Sequence, residues 1–306
     1  MYLPIEGKHR DYEDTKGGRC LKNYFQDIML IIVYHYPFYA TIPFVVSNYK
    51  DAFPNIVVCG TQKSARYNIL VVDMNPRGYL THECLGEVIR SYPGFRGYML
   101  VNDDMIVNWW NFVKLDKDKI WQGAEVAYKN GVVVGQRPIP DDWFWQLKEN
   151  GARSCERAYR EVVKLKNDPS VGIDIPKLLA IHFLNGRNKT MCFRTWSDFV
   201  YIPGKYSREF ELLCGIFYRN KVFLEIAFPT ITSFLEPWRA WEKVYGVYLP
   251  DIYGFTDFTL LKNVWPKYSK KIPFLHPIKI FGRRGLNNRR ELEKQVLSYG
   301  KQFLHC

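Results

Sequence analysis

Asn102-Asp103-Asp104 stands directly after an apolar run, Tyr98 to Val101. Such a run reads as a buried β-strand. A strand that stops in an amide and two carboxylates sets hard oxygen donors at the rim of a sheet, and open α/β sheets bind their ligands at that rim. Mg²⁺ or Mn²⁺ held by one or two carboxylates completes its shell with water and substrate phosphate. The triplet is therefore a candidate metal–diphosphate site. Asp104 is its metal carboxylate, and Asn102 and Asp103 are its contacts to the nucleotide. An Asx-rich turn has the same composition, so the reading depends on what surrounds it.

Glu225 is a second candidate. It sits in an otherwise apolar stretch, Val222 to Ile231. Burial there would raise its pKa toward the range useful to a base that deprotonates a hydroxyl. Asp251 and Asp257 are rival bases. Lys279 to Arg290 is the one local concentration of basic residues, and within it Lys279, Arg283 and Arg284 would face a diphosphate. Arginine forks suit phosphate oxygens, and Gly282 and Gly285 bracket the pair. Trp109 and Trp110 follow the triplet, and Trp143 and Trp145 follow Asp141-Asp142. Indole faces stack on sugar rings, although most tryptophans serve as core.

These residues need a scaffold. Asp27 to Tyr34 reads as a first strand, Tyr39 to Tyr49 as a helix, and Asn55 to Cys59 as a second strand. Together they make a βαβ crossover of about 30 residues. Ile69 to Val72 is a third strand. Thr81 to Tyr92 has helical spacing at Cys84, Leu85, Val88 and Ile89, stopped by Pro93-Gly94. The strand that carries the triplet follows. Beyond it the spacing predicts helices over Arg153–Lys166, Ser207–Asn220, Phe234–Tyr245 and Arg289–Phe303, with a short strand at Phe199–Ile202. Alternation of this kind predicts an α/β fold with a mostly parallel central sheet flanked by helices. One domain is expected. Its parts are an N-terminal arm (1–25), a nucleotide half (26–135), an acceptor half (136–275) and a C-terminal clamp and helix (276–306).

Composition narrows the classes. The 306 residues are 47% hydrophobic and 16% aromatic, enough for a sizeable core and against disorder. The net charge of +12 suits an anionic ligand. Basic residues are otherwise spread along the chain, and no RNP strand, zinc-finger spacing or basic zipper is present, so nucleic acid is not the expected partner. The seven cysteines form no close pair. That excludes a CxxC site and fits either a reducing compartment or a lumenal protein with one or two bridges. Ile28 to Val46 holds His35, Pro37 and Pro43 and is a poor membrane span. No secretory signal opens the chain.

The order of these elements resembles a GT-A-type glycosyltransferase. The early βαβ unit comes first, then a strand ending in an acidic triplet, then Leu224-Glu225-Ile226-Ala227-Phe228-Pro229-Thr230, then His276-Pro277-Ile278-Lys279. More narrowly, Gly97-Tyr98-Met99-Leu100-Val101-Asn102-Asp103-Asp104 is similar to the matching segment of STELLO-type plant Golgi proteins. The Glu225 segment loosely resembles that of exostosin-type transferases. The resemblance spans roughly Asp27 to Lys279. It implies transfer of a sugar from a nucleoside-diphosphate sugar, a UDP-sugar first, to a carbohydrate or other hydroxyl acceptor, with Mn²⁺ or Mg²⁺. It also implies His276 as a second metal ligand beside Asp104, and Glu225 as the acceptor base. One departure stands out: the usual Asp-x-Asp has Asn102 at its first position, which brings no charge. That keeps open a non-catalytic carbohydrate-binding or assembly partner on the same scaffold. The compartment expected is the Golgi lumen for a chain cut from an anchor, or the cytosol for a complete one.

Overall fold

Every residue of Ile28–Tyr34 (β1) is buried, because β1 lies between two parallel neighbours and has both faces covered. Sheets of that kind read as unbroken apolar runs. The computed structural model describes residues 21–74, 78–126, 131–136, 149–249, 264–283 and 285–304. After β1 come a short helix Ile42–Ser47 (α1), strands Asn55–Gly60 (β2) and Leu70–Val71 (β3), helix His82–Ser91 (α2) and strand Gly97–Asn102 (β4). β1 pairs in parallel with β2 and β4, and β2 with β3. The expected crossover, helix and triplet-bearing strand are therefore present, with α1 shorter than the sequence suggested.

Strands Ile106–Val107 (β5), Trp121–Gln122 (β6) and Val132–Val133 (β7) follow, then helices Ala152–Lys164 (α3) and Ile175–Asn185 (α4). Next are strands Met191–Cys192 (β8) and Phe199–Pro203 (β9), and helices Ser207–Arg219 (α5) and Leu224–Leu235 (α6). Strands Glu242–Lys243 (β10), Val247–Tyr248 (β11) and Phe274–His276 (β12) lead to helix Leu286–Leu292 (α7). A π-helical turn at Glu293–Leu297 and a last turn at Ser298–Lys301 extend α7. The central sheet runs β10-β6-β9-β4-β1-β2-β3, with β9 antiparallel to both its neighbours. This mixed α/β sheet flanked by helices is the arrangement that the GT-A resemblance implies.

The helix expected over Phe234–Tyr245 is not formed. α6 ends at Leu235, where Pro237 holds Glu236 extended at φ −151° and ψ 146°, as residues before proline prefer. The chain then makes a tight turn and enters β10. α6 itself carries Pro229 in its interior. Pro229 has no N–H for the carbonyl of Glu225, and the backbone N–H of Thr195 donates to that carbonyl instead, at 3.0 Å. The first turn of α6 is thereby tied to the loop leading into β9.

Two apolar layers cover the sheet. One, under α2 to α6, takes Met29, Ile31, Tyr98 and Leu100 from the strands. The other, under α1 and α7, takes Leu30, Ile32, Met99 and Val101. Cys59–Cys84 bridges β2 to α2, and Cys155–Cys192 bridges α3 to β8. Among the described residues these two bridges fit the bridged expectation rather than the fully reduced one. Among the described residues no helix is long and apolar enough to cross a membrane.

Candidate active site

Alternation along β4 sorts the triplet. Side chains of successive extended residues point to opposite faces. Asn102 continues the Tyr98–Leu100 side, beneath the helices, while Asp103 continues the Met99–Val101 side. Asp103 lines a small cleft with Asn48, Tyr49, Ile278 and Ile280. Burial and the charge of Asp104 hold its carboxyl well above the usual range. The triplet is therefore split, with Asp103 turned away from its two neighbours.

The late motif reaches the triplet through a second sheet, β11-β12-β5. β12 pairs antiparallel with β5, Leu275 facing Ile106, and β5 begins two residues after Asp104. The N–H of Ile278 donates to the carbonyl of Asp104 at 2.7 Å. This pairing sets His276 Nε2 3.2 Å from Asp104 Oδ1 and Lys279 Nζ 2.6 Å from Asp104 Oδ2. Burial alone would raise the Asp104 pKa, but the Lys279 and His276 cations outweigh it and hold the carboxyl well below the usual range. Burial disfavours the charged form of His276. The Asp198 and Asp104 carboxylates overcome that, and its pKa rises to about 9.

Asp198, at the entry to β9, is the residue that sequence reasoning missed. Its Oδ1 accepts from Asn102 Nδ2 at 2.7 Å and lies 3.5 Å from His276 Nε2. No local pattern marks it, because only the antiparallel pairing of β9 with β4 brings it to the triplet. Three further residues join the cluster. His35, one residue past the end of β1, is shielded from water, which lowers its pKa against the pull of Asp104 and Asp198. Its ring lies where a side chain on Gly78 would stand, 2.6 Å from an added Cβ, and Gly78 has φ +74°. The rim rule applied to β1 would have found His35. Tyr248 pairs in register with His276, and its ring meets that imidazole edge-on at 5.8 Å. Its hydroxyl is buried without a hydrogen-bond partner. Burial, with the charges of Asp198 and Glu225, keeps that phenol well above its ordinary pKa. Trp196 is exposed and leans on Tyr248, ring centres 4.5 Å apart.

Glu225 stands in the first turn of α6, near enough to Tyr248 for its charge to act on that phenol. Arg283 is exposed on the turn before α7 and does not join the cluster. Asp251, Asp257, Arg284, Trp143 and Trp145 lie outside the described residues. Trp109 and Trp110 are buried, which removes them as sugar platforms. Trp110 stacks on Phe303 and its indole N–H donates to the Lys270 carbonyl at 2.9 Å. The exposed indole beside the cluster is Trp196.

No three His, Cys, Asp or Glu side chains among the described residues are arranged to hold a metal ion together, and His276 and Lys279 face the oxygens of Asp104. The donor chemistry nonetheless fits a hard divalent cation. Carboxylate oxygens of Asp104 and Asp198 both approach His276 Nε2, at 3.2 and 3.5 Å, and the buried amide oxygen of Asn102 has no hydrogen-bond partner.

No protein-family model matches the chain. It is 21% identical over 230 residues to the Arabidopsis thaliana protein named "Probable glycosyltransferase STELLO2", covering 75% of this chain and 27% of that protein. It is 22% identical over 232 residues to "Probable glycosyltransferase STELLO1" of the same plant, covering 75% and 26%. The chain spans about a quarter of the length of these curated relatives. A strand-end acidic cluster on a mixed α/β sheet and a match over three quarters of the chain agree: by weak homology, this chain is similar to the STELLO-type glycosyltransferases.

Proposed function

We propose that the chain transfers a sugar from a nucleoside-diphosphate sugar, most simply a UDP-sugar, to a hydroxyl of a carbohydrate acceptor. One observation carries this reading. Asp104 and the late pair His276 and Lys279, far apart in sequence, meet at the rim where an α/β sheet binds ligands. Asp104 holds a divalent cation, Mn²⁺ or Mg²⁺, with His276 beside it. That ion supplies charge compensation and a template for the diphosphate leaving group. Lys279, released from Asp104, turns its ammonium to the phosphate oxygens; Arg283 supplies further charge from the turn before α7, and Arg284 follows it in the sequence. Trp196 presents a face to the acceptor sugar. Glu225 takes the acceptor's hydroxyl proton as the acceptor oxygen bonds to the sugar's anomeric carbon. The bond from that carbon to the diphosphate breaks, and its electron pair leaves with the nucleotide. The two disulfides favour an oxidising compartment.

Thermal melting with nucleoside diphosphates, with and without Mn²⁺, tests the reading without knowledge of the acceptor. Ligand that binds only the native state raises the melting temperature by mass action. UDP with Mn²⁺ should stabilise the chain and UDP alone should do so less. No shift with any nucleoside diphosphate rejects the reading. The uncharged Asn102 favours one rival, a carbohydrate-binding partner without turnover. Stabilisation by an oligosaccharide and by no nucleotide would select it.

A further inference from the structure

Asn102 leaves the triplet one negative charge short of the pattern it resembles, and the position of Asp198 bears on that deficit. Asp198 comes from another strand, on the opposite side of β4 from β1, and meets the Asn102 amide at 2.7 Å. Its Oδ1 accepts the amide hydrogen, and its Oδ2 accepts no hydrogen bond from the described residues. The amide oxygen of Asn102, on a side chain only 3% exposed, has no partner either. A buried carbonyl oxygen left without a donor is destabilising, and a cation is one group that satisfies it. His276 Nε2 marks the place on which the carboxylates converge, 3.2 Å from Asp104 and 3.5 Å from Asp198. Two carboxylates therefore meet at one imidazole, and the side chain that hydrogen-bonds the second of them carries a buried oxygen without a partner.

We propose that Asp198 is the second carboxylate of the cation site, supplying from β9 the charge that position 102 lacks. The inference rests on the metal-dependent reading above. It makes Asn102 a neutral donor whose N–H₂ end orients Asp198 and whose oxygen faces the cation. It gives Asp198 the role that the first acidic position of the triplet would otherwise hold. It also accounts for the departure at Asn102 without loss of cation binding, because the charge is moved to a neighbouring strand.

A charge swap tests this directly, with Mn²⁺ binding followed by electron paramagnetic resonance on the whole chain, with and without UDP. The wild-type chain should bind Mn²⁺ more tightly when UDP is present. Asp198→Asn should weaken Mn²⁺ binding by 10-fold or more, approximately the loss seen when groups around a bound metal are removed. The double variant Asn102→Asp with Asp198→Asn returns one carboxylate to the pair across the same hydrogen bond, and should recover most of the affinity. Thermal melting of each variant shows whether it is folded. An Asp198→Asn chain that binds Mn²⁺ like wild type overturns the inference. So does a folded double variant no better than Asp198→Asn alone. Failure of the underlying reading shows elsewhere, in the wild type: a chain that binds UDP but no Mn²⁺, with or without UDP, removes the cation site, and one that binds neither removes the nucleotide site as well.

Discussion

His276 at the strand ends and the two histidines beneath the helices are shifted in opposite directions. At the strand ends, His276 faces two carboxylates and its pKa rises to about 9. Beneath the helices, burial lowers His82 and His182 to about 3. Burial alone disfavours charge in all three, so neighbours decide. His182 is held neutral by a specific network. Ser233 donates to the Thr230 carbonyl, so its oxygen accepts from His182 Nδ1–H at 2.7 Å, while Nε2 accepts from the Met191 N–H at 3.3 Å. A second proton on Nε2 would face a donor. The helix side thus spends its polar groups on fixing one packed arrangement, whereas the strand-end side keeps charges together and within reach of solvent. That division separates a chemical site from a scaffold.

The largest effect expected is on turnover at the strand ends. If Glu225 is the base, Glu225→Gln should lower the transfer rate by roughly 10²- to 10⁴-fold, the usual scale for a general acid–base group. The amide keeps the shape, so unfolding free energy should move by no more than about 0.5 kcal/mol, and Mn²⁺–UDP binding should persist. Asp104→Ala should lose both binding and turnover. A Glu225→Gln chain that is markedly destabilised yet active would make Glu225 a structural carboxylate and move the base elsewhere.

The pH dependence of stability should be smaller but should carry both signs. His82 and His182 have native pKa values below the ordinary 6.5, so the unfolded chain binds more protons between about 3 and 6.5. Stability is full above 6.5 and falls as pH drops, on the order of 2 kcal/mol per histidine at pH 5. His276 has the opposite sign: its native pKa exceeds 6.5, so its contribution is complete below 6.5 and is lost as pH rises through about 9. Urea unfolding at pH 5, 7 and 9 should give a maximum near neutrality. His276→Gln should flatten only the alkaline side. Loss of both limbs in that variant would dissolve the contrast between the two regions.

Legibility in the sequence followed the same division. β1, β2, α2 and β4 were readable because their apolar residues are consecutive or helically spaced, and each is fixed by local chemistry. Asp104, Lys279 and His276 were readable as donor types, and the pairing of β12 with β5 brings them together. α6 was missed because Leu224–Leu235 is buried on nearly every side, with apolar residues all round, which blurs the helical period, and because Pro229 reads as a breaker. Its N-terminal end survives the proline through the Thr195 bond to the Glu225 carbonyl. Asp198, Tyr248 and Trp196 had no local signal at all. They belong to the cluster only because β9 and β11 carry them there, and that is a property of register rather than of motif.

His82 offers the smallest effect and the sharpest separation of the two regions. Both its ring nitrogens are buried without partners, against Tyr218 and Phe228 at ring distances of 6.4 and 6.1 Å. His182 has partners for both nitrogens and His82 has none, so the two should respond differently to removal. Replacing an unsatisfied buried polar group by an apolar one of similar size removes a desolvation cost. His82→Leu should therefore stabilise the chain by about 1 kcal/mol at neutral pH, or about 2 °C in melting temperature for a protein of this size. It should also remove part of the acid limb, since one of the depressed histidines, His35, His82 and His182, no longer titrates. Transfer activity should be unchanged, because His82 lies under α5 and α6 and away from the strand-end cluster. Destabilisation of more than about 1 kcal/mol would mean that the ring has a partner of its own, such as a buried water, and that the helix side also satisfies its polar groups in full.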